Sequence, residues 1–378
     1  MYKTFEYRLF LNRSQHARLL SCLAESRHLY NEMLEMVKAH YQRSGRFLGR
    51  YDLMHRFKGR GGEHVPQSTV QTLADRLDRA LKRFFRRREL GQRVGFPRFK
   101  AANRWHSIRL RQYGPRRDVY LDPDTGRLRV PKKLGGSLKV KQHRPLEGTP
   151  KTAHLVYRAD GHWYVLIVCD LGDAPDKRDG AAVGLDLGIT HFVADSEGEI
   201  VENPRCLERA AKRLRRAQRK SARRKRGSNR RCKASKQHLK IARQRKDHAH
   251  KTARYYVDAY AFIAVEDLRV GNMLKNRHLA RAIADASWCA FIDILTLKAE
   301  NAGARVIEVS PRFTSQRCFE CGEIVRKSLC VRTHICESCG YVADRDLNAA
   351  RNILQAGMRP SERNVGGYSE RVPRSRLP

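Results

Sequence analysis

The sequence predicts a multidomain protein of mixed α+β and α/β organisation, and three observations lead there. Its 378 residues correspond to two or three domains at roughly 150 residues each. Residues 13 to about 90 carry helical-period patterns, and strand patterns follow to about Leu171. Beyond a charged linker, two short apolar runs, within residues 181–190 and 261–267, read as buried strands that each end in a carboxylate.

Charge narrows the function classes. Lys and Arg number 78 against 39 Asp and Glu, which gives a formal charge of +39 and a pI near 10.5. Solubility alone needs far less, so the partner is a polyanion, with nucleic acid ahead of an anionic membrane surface. A hydrophobic content of 41% and an aromatic content of 8% exclude a merely disordered basic tail. No apolar run approaches the roughly 18 residues of a membrane span, and the first twenty residues lack an apolar signal core. The chain is therefore expected to be neither secreted nor membrane-embedded.

The opening run KTFEYRLFL alternates as a strand does, and Ser14 is placed to cap a helix running to about Gln42. Leu19, Leu20, Leu23, Tyr30, Met33, Leu34 and Val37 form its apolar stripe. After Val65 and Pro66 a second helix carries Val70, Leu73, Leu77, Leu81 and Phe84 on one face, with Arg76, Arg79, Arg83 and Arg87 largely on another. The segment GFPRFK, residues 95–100, then interleaves aromatic and basic groups suited to bases and phosphates. In HLVYRADGHWYVLIVCDL two β-rich runs flank Asp160 and Gly161, a two-residue hairpin signal. Asp173 to Asp179, with Pro175, reads as a linker, and a new domain begins near Ala181.

Residues 205–251 hold 21 Lys and Arg against two acids, Glu208 and Asp247. The apolar spacing there predicts a pair of basic helices interrupted at Gly227 to Asn229. Most charge runs are simply solvated faces, but this density is an electrostatic footprint for nucleic acid. From Met358 onward no apolar periodicity remains, and a mobile tail is expected.

Three carboxylates stand where chemistry could reach them. In AAVGLDLGIT the strand cannot continue past Gly188, so Asp186 is presented at its end. Alone it could stabilise a turn, or open the first phosphate motif of an actin-like ATPase, although no second glycine-rich phosphate motif follows. AFIAVED presents Glu266 and Asp267 in the same way, and in ADRDLNAARNIL either Asp344 or Asp346 begins a helix, a simple N-cap being the bland alternative. Asp186, Glu266 and Asp346 together would repel one another unless they held divalent cations. Two Mg²⁺ ions about 4 Å apart would suit phosphodiester cleavage, which needs no side-chain nucleophile.

Of ten cysteines, Cys22, Cys169, Cys206, Cys232 and Cys289 are scattered, whereas Cys318, Cys321, Cys330, Cys336 and Cys339 fall within 22 residues. Such clustering points to a metal site in a reducing compartment rather than to disulfides. Cys318 and Cys321 form one CxxC pair, Cys336 and Cys339 another, each followed by a glycine, Gly322 or Gly340. Four thiolates describe one closed, structural Zn²⁺ site. Cys330 and His334 are the alternative ligands that the spacing allows in place of one of these four, and a redox dithiol is the other reading.

Taken in order, YNEML, VPQSTVQ, GFPRFK, GLDLGIT, QRKDHAHK, VEDLRVGNM, ADASW, SPRFTSQRCFECG and ADRDLNAARNIL resemble the TnpB (OrfB) proteins of insertion sequences, relatives of type V CRISPR effector nucleases. The resemblance covers nearly the whole chain. It implies an RNA-guided DNA endonuclease, with a β-barrel wedge domain interrupted by a helical recognition domain. An RNase H-like (RuvC) nuclease domain with an inserted zinc ribbon would follow. The implied divisions are 1–12 for the first wedge strand, 13–94 for the recognition helices and 95–178 for the rest of the barrel. They continue with 179–310 for the nuclease domain, whose basic helical pair is 205–257, then 311–342 for the ribbon, 343–357 for the last nuclease motif and 358–378 for the tail. Asp186, Glu266 and Asp346 take the catalytic, Mg²⁺-holding positions, and Cys318, Cys321, Cys336 and Cys339 the zinc positions. The implied partners are a guide RNA from the transposon end, double-stranded target DNA read beside a short motif, and a separate transposase for strand transfer, with no membrane. The implied location is the prokaryotic cytoplasm, at the nucleoid. Two other readings remain: a nuclease-inactive RNA-guided binder that represses or regulates transposition, and a basic zinc-ribbon protein of ribosomal or transcriptional type, which would leave the carboxylates unexplained.

Overall fold

Alternation in the first residues produces β1 (Tyr2–Phe10), which buries Phe5, Tyr7 and Leu9 on one face. The computed structural model describes residues 1–223, 233–328 and 331–359. The expected helix break at Gly227 to Asn229, together with Cys232, Cys330 and residues 360–378 of the expected tail, lies outside them. The chain divides into two units, Met1–Gly172 and a second beginning at Asp173. Among the described residues no helix is long and apolar enough to cross a membrane.

In the first unit three helices are inserted between the first and second strands: α1 (Arg13–Ser44), α2 (Arg50–Arg56) and α3 (Gln67–Glu89). The cap of α1 is Asn12, not Ser14. Its carboxamide oxygen accepts from the Gln15 backbone N–H at 2.8 Å while Gln15 Oε1 accepts from the Asn12 N–H at 3.2 Å, and Ser14 sits inside the first turn. Six of the seven stripe residues are buried in α1; Leu20 is 38% exposed instead, since it lies beside the stripe rather than on it. Helix α2, too short to show a period, was not foreseen.

Six further strands, β2 (Ser107–Leu110), β3 (Tyr120–Leu121), β4 (Arg127–Arg129), β5 (Ser137–Lys141), β6 (Thr149–Tyr157) and β7 (Trp163–Asp170), join β1 in one antiparallel sheet ordered β2-β6-β7-β1-β5-β4-β3. The first strand thus pairs with β5 and β7, segments more than a hundred residues away. The β6–β7 connection is longer than the two residues expected, because β6 ends at Tyr157 and β7 starts at Trp163. Within it Gly161 has a φ of 81°, and Asp160 accepts from the His162 N–H and the Tyr164 hydroxyl. In the segment 95–100 the two phenylalanines divide their work. Phe96 packs on Phe47 and Phe84, whereas Phe99 stays half exposed with Lys38 Nζ 4.5 Å from its ring.

The second unit contains β8 (Ala182–Asp186), β9 (His191–Asp195), β10 (Ile200–Glu202), the basic helices α4 (Cys206–Ala222) and α5 (Lys233–Ala259), and β11 (Phe262–Glu266). It continues with α6 (Val270–Met273), α7 (Ala280–Ala286), α8 (Trp288–Asn301), β12 (Arg305–Val309), the small hairpin β13 (Thr333–Ile335) and β14 (Val342–Asp344), and α9 (Arg345–Met358). The expected tail therefore starts with a helical residue, Met358. The main sheet is mixed, ordered β10-β9-β8-β11-β12, with β8, β11 and β12 parallel.

Period-two alternation sorts the residues of this sheet. Val183, Leu185, Ile263 and Val265 face one layer, packing with Tyr256 and Val257 of α5 and Phe291 and Leu295 of α8. Gly184 and Ala264 face the other layer, where α9 lies. The contact is close enough that a Cβ on Gly184 would stand 2.1 Å from the Ala350 carbonyl oxygen and 2.7 Å from the Leu354 nitrogen. Gly184→Ala should therefore destabilise the second unit by about 2 kcal/mol or more, since overpacking typically costs 1–3 kcal/mol and here the obstacle is backbone. A lowered denaturation midpoint followed by circular dichroism checks this; an unchanged midpoint would show that α9 does not press on β8 at this point.

Candidate functional site

The same alternation places the candidate carboxylates. Asp186 is two residues beyond Gly184 and Glu266 two beyond Ala264, so both belong to the α9 face. The last paired positions of the parallel strands are Leu185 and Val265, which makes Asp186 and Glu266 the next neighbours at the carboxyl ends. Asp346 is in the first turn of α9, the helix that packs on both strands.

Asp344 and Asp346 divide into separate roles. Asp344 is the N-cap, its Oδ1 accepting from the backbone N–H of Asp346 at 2.8 Å and of Leu347 at 3.3 Å. Asp346 is left with Arg332, whose guanidinium stands 3.6 Å from Oδ2 and also donates to the Thr190 hydroxyl at 2.6 Å. Asp267, next to Glu266, is the neighbour on the opposite parity, and its backbone N–H goes to the Val309 carbonyl.

Electrostatics tie the three carboxylates together. Burial pushes the Asp186 carboxyl well above the usual range, and the charges of Glu266 and Asp346 push it the same way. Glu266 is also raised by burial, opposed by a hydrogen bond from Thr314. Oxygen donors whose charges outweigh the nearby Arg345 at Asp186 are of the type a divalent ion like Mg²⁺ neutralises. In residue type the three carboxylates suit such ions, while among the described residues the group whose ligand atoms all lie close enough to share one ion is the cysteine set.

Sequence reading missed the side chains that hold this site. Thr314, 9% exposed, donates its hydroxyl to Glu266 Oε1 at 2.6 Å. Asn348 and Asn352 of α9 are buried, and their amides donate to the Arg317 carbonyl at 2.8 and 2.7 Å; Asn352 also donates to the Thr314 carbonyl at 2.9 Å. Their only sequence signal was one of position, four residues apart on the buried side of the helix. Asp285, in the ADASW segment, likewise proves to be an anchor. It accepts from the backbone N–H groups of Leu207 and Glu208 at the start of α4 and from Arg245 Nε of α5, which ties the start of α4 to the middle of α5.

The cysteines form a second cluster. Ligand atoms of Cys318, Cys321, Cys336 and Cys339 all lie within 4.8 Å of one another. Sulfur separations of 3.7 Å for Cys318–Cys339 and 3.5 Å for Cys321–Cys336 are far beyond a disulfide. They approach the roughly 3.8 Å edge of a tetrahedron built with Zn–S bonds of about 2.3 Å. In each pair the first cysteine carbonyl accepts from a glycine N–H, Gly322 or Gly340, and both glycines have the positive φ this turn requires, 82° and 73°. His334 is not part of the cluster; it is fully buried, with its Nδ1 2.5 Å from Lys327 Nζ. Cys330 lies outside the described residues. The donor set fits one tetrahedral zinc and leaves no open position.

A mixed β sheet presenting carboxylates at two strand ends, a four-cysteine cluster suited to zinc and two strongly basic helices together describe a class of nucleic-acid-binding proteins. Comparison with known proteins narrows the class. The family profile OrfB_IS605, described as "Probable transposase", matches residues 165–277, and a "Cas12f1-like, TNB domain" profile matches 288–353. A profile described as a helix-turn-helix domain matches residues 1–46, which here form β1 and the single long helix α1. "Putative RNA-guided DNA endonuclease InsQ" of Escherichia coli (strain K12) is 31% identical over 312 residues, covering 77% of this chain and 74% of that protein. A "Putative RNA-guided DNA endonuclease" of Streptomyces pristinaespiralis is 35% identical over 237 residues, covering 61% of this chain and 59% of that protein. "CRISPR-associated endodeoxyribonuclease Cas12f1" of Sulfoacidibacillus thermotolerans is 34% identical over 106 residues, covering 28% of this chain and 25% of that protein. The chain belongs to the TnpB (OrfB) family of insertion-sequence proteins.

The cysteine cluster generates a direct prediction. Purified protein should carry about one zinc per chain, as a four-thiolate structural site does, and Cys336→Ser should lose most of it and unfold at a lower temperature. Elemental analysis with a thermal melt checks this; full zinc content in the variant would place the metal elsewhere.

Proposed function

We propose that this chain is an RNA-guided DNA endonuclease encoded by an insertion sequence. In this reading it uses a guide RNA from the transposon end and cleaves complementary double-stranded DNA beside a short target-adjacent motif. The observation that supports the reading is that Asp186 and Glu266 end neighbouring parallel strands and that the charges of Glu266 and Asp346 both raise the Asp186 carboxyl, in a family whose matched relatives bear the name RNA-guided DNA endonuclease. The second unit is read as a RuvC-like nuclease of RNase H type with a zinc ribbon, and the first as a wedge barrel interrupted by recognition helices. The proposed setting is the prokaryotic cytoplasm, at the nucleoid, with strand transfer left to a separate transposase.

Asp186, Glu266 and Asp346 would hold two Mg²⁺ ions. Bound there, the ions would neutralise the scissile phosphate and lower the pKa of the attacking water. The chain's own residues prepare that site. The three carboxylates supply oxygen donors on strands and a helix rather than on loops, so their spacing is fixed by the sheet and α9. Arg332 restrains Asp346, and Thr314 restrains Glu266. Basic side chains of α4 and α5 meet phosphates, whatever the sequence they belong to. Sequence choice is delegated to base pairing with the guide, which explains why so strongly cationic a chain needs few base-reading groups.

Asp186→Ala tests the reading. It should reduce guide-dependent plasmid cleavage in Mg²⁺ by at least about a thousandfold, as expected when a ligand to the reacting metals is removed, while RNA binding persists because the basic surface is intact. Cleavage assays beside filter binding report both quantities. Undiminished cleavage would overturn the site assignment, and RNA-dependent DNA binding without cleavage in the unaltered protein would make it a nuclease-inactive repressor.

A further inference from the structure

We propose that Thr314 is the positioning residue of Glu266, and that Asn352 ties Thr314 to the first cysteine loop, so that the four-cysteine hairpin and the carboxylate site are one mechanical unit. The proposal rests on the reading of Glu266 as a metal-holding carboxylate.

A threonine hydroxyl has one proton. Thr314 Oγ1 lies 2.6 Å from Glu266 Oε1 and 3.4 Å from the Pro311 carbonyl, so the proton goes to the nearer and charged acceptor. Thr314 is 9% and Glu266 7% exposed, which leaves little room for water to replace the bond. The carboxylate is thereby held in one orientation, as partners behind metal ligands commonly do.

Thr314 is itself held from behind. Asn352 Nδ2 donates to the carbonyls of Thr314 and Arg317, and two carbonyl neighbours fix which end of the amide is nitrogen. One turn earlier Asn348 donates to the same Arg317 carbonyl and accepts from the Phe319 N–H at 3.1 Å. Arg317 and Phe319 flank Cys318. Helix α9 therefore grips the residues on either side of a cysteine while carrying Asp346 at its start, and the Thr314 hydroxyl passes that grip to Glu266. A loop that zinc orders becomes a support for the carboxylate site.

The test measures Mn²⁺ binding to the zinc-loaded full chain by electron paramagnetic resonance, beside the Mg²⁺ concentration that gives half-maximal cleavage. Thr314→Val should weaken Mn²⁺ binding about 10- to 100-fold, the usual effect of losing a partner behind a ligand, and raise the Mg²⁺ requirement to match, with zinc content unchanged. Thr314→Ser, which restores the donor, should recover most of the affinity. If the valine variant is unstable by thermal melt, Thr314→Ala removes the same donor with less volume and should show the same loss. Wild-type Mn²⁺ affinity in a folded variant lacking the hydroxyl would overturn the positioning role, while Asp186→Ala, still impaired, would leave the carboxylate reading intact. Wild-type Mn²⁺ affinity in Asp186→Ala would overturn that reading, and this proposal with it.

Discussion

The second unit depends on how closely α9 lies on β8. Only a residue without a side chain at position 184 lets the helix backbone approach to where a Cβ would be 2.1 Å from the Ala350 oxygen. A second glycine, Gly357, serves the other end, where a Cβ would meet Ala264 at 2.8 Å. With the helix at this height Asp346, in its first turn, is near enough for its charge to raise the Asp186 carboxyl. A helix held further out would leave a sheet with two terminal carboxylates and no third. The negative charge that close packing gathers around Asp186 is what a bound divalent cation would neutralise.

Much of the candidate site was legible in the sequence, for local reasons. A buried strand ending in an acid, met twice, is visible in five-residue runs, and the CxxC pairs with their glycines are visible in spacing alone. The choice between Asp344 and Asp346 was not, since both occupy positions where an N-cap can form. What separates them in the structure is that two backbone N–H groups take up the Asp344 carboxylate as the N-cap, while Asp346 pairs with Arg332. Thr314 was illegible for a different reason. Its bond to Glu266 spans 48 residues, and a single buried threonine carries no periodicity.

The first unit shows the same division between local and distant causes. Its helical stripes followed from three-to-four spacing, but the sheet order did not, because β1 pairs with strands that follow three helices. Asn12 outcompeted Ser14 as a cap because the reciprocal bond with Gln15 satisfies two backbone donors at once. The Asp-Gly pair suggested a tight turn, yet Asp160 is occupied by the His162 N–H and the Tyr164 hydroxyl, which stabilises a longer connection. Charge, by contrast, was readable without any structure. What the structure adds is its anchoring, through Asp285, which joins the start of α4 to Arg245 of α5.

The central claim is that Asp186, Glu266 and Asp346 form one divalent-metal site. The most direct measurement is anomalous diffraction from crystals of the full chain soaked in Mn²⁺. Manganese peaks within coordinating distance of all three carboxylates are the result this account predicts. Ions bound elsewhere, with the three carboxylates free of metal, would contradict it.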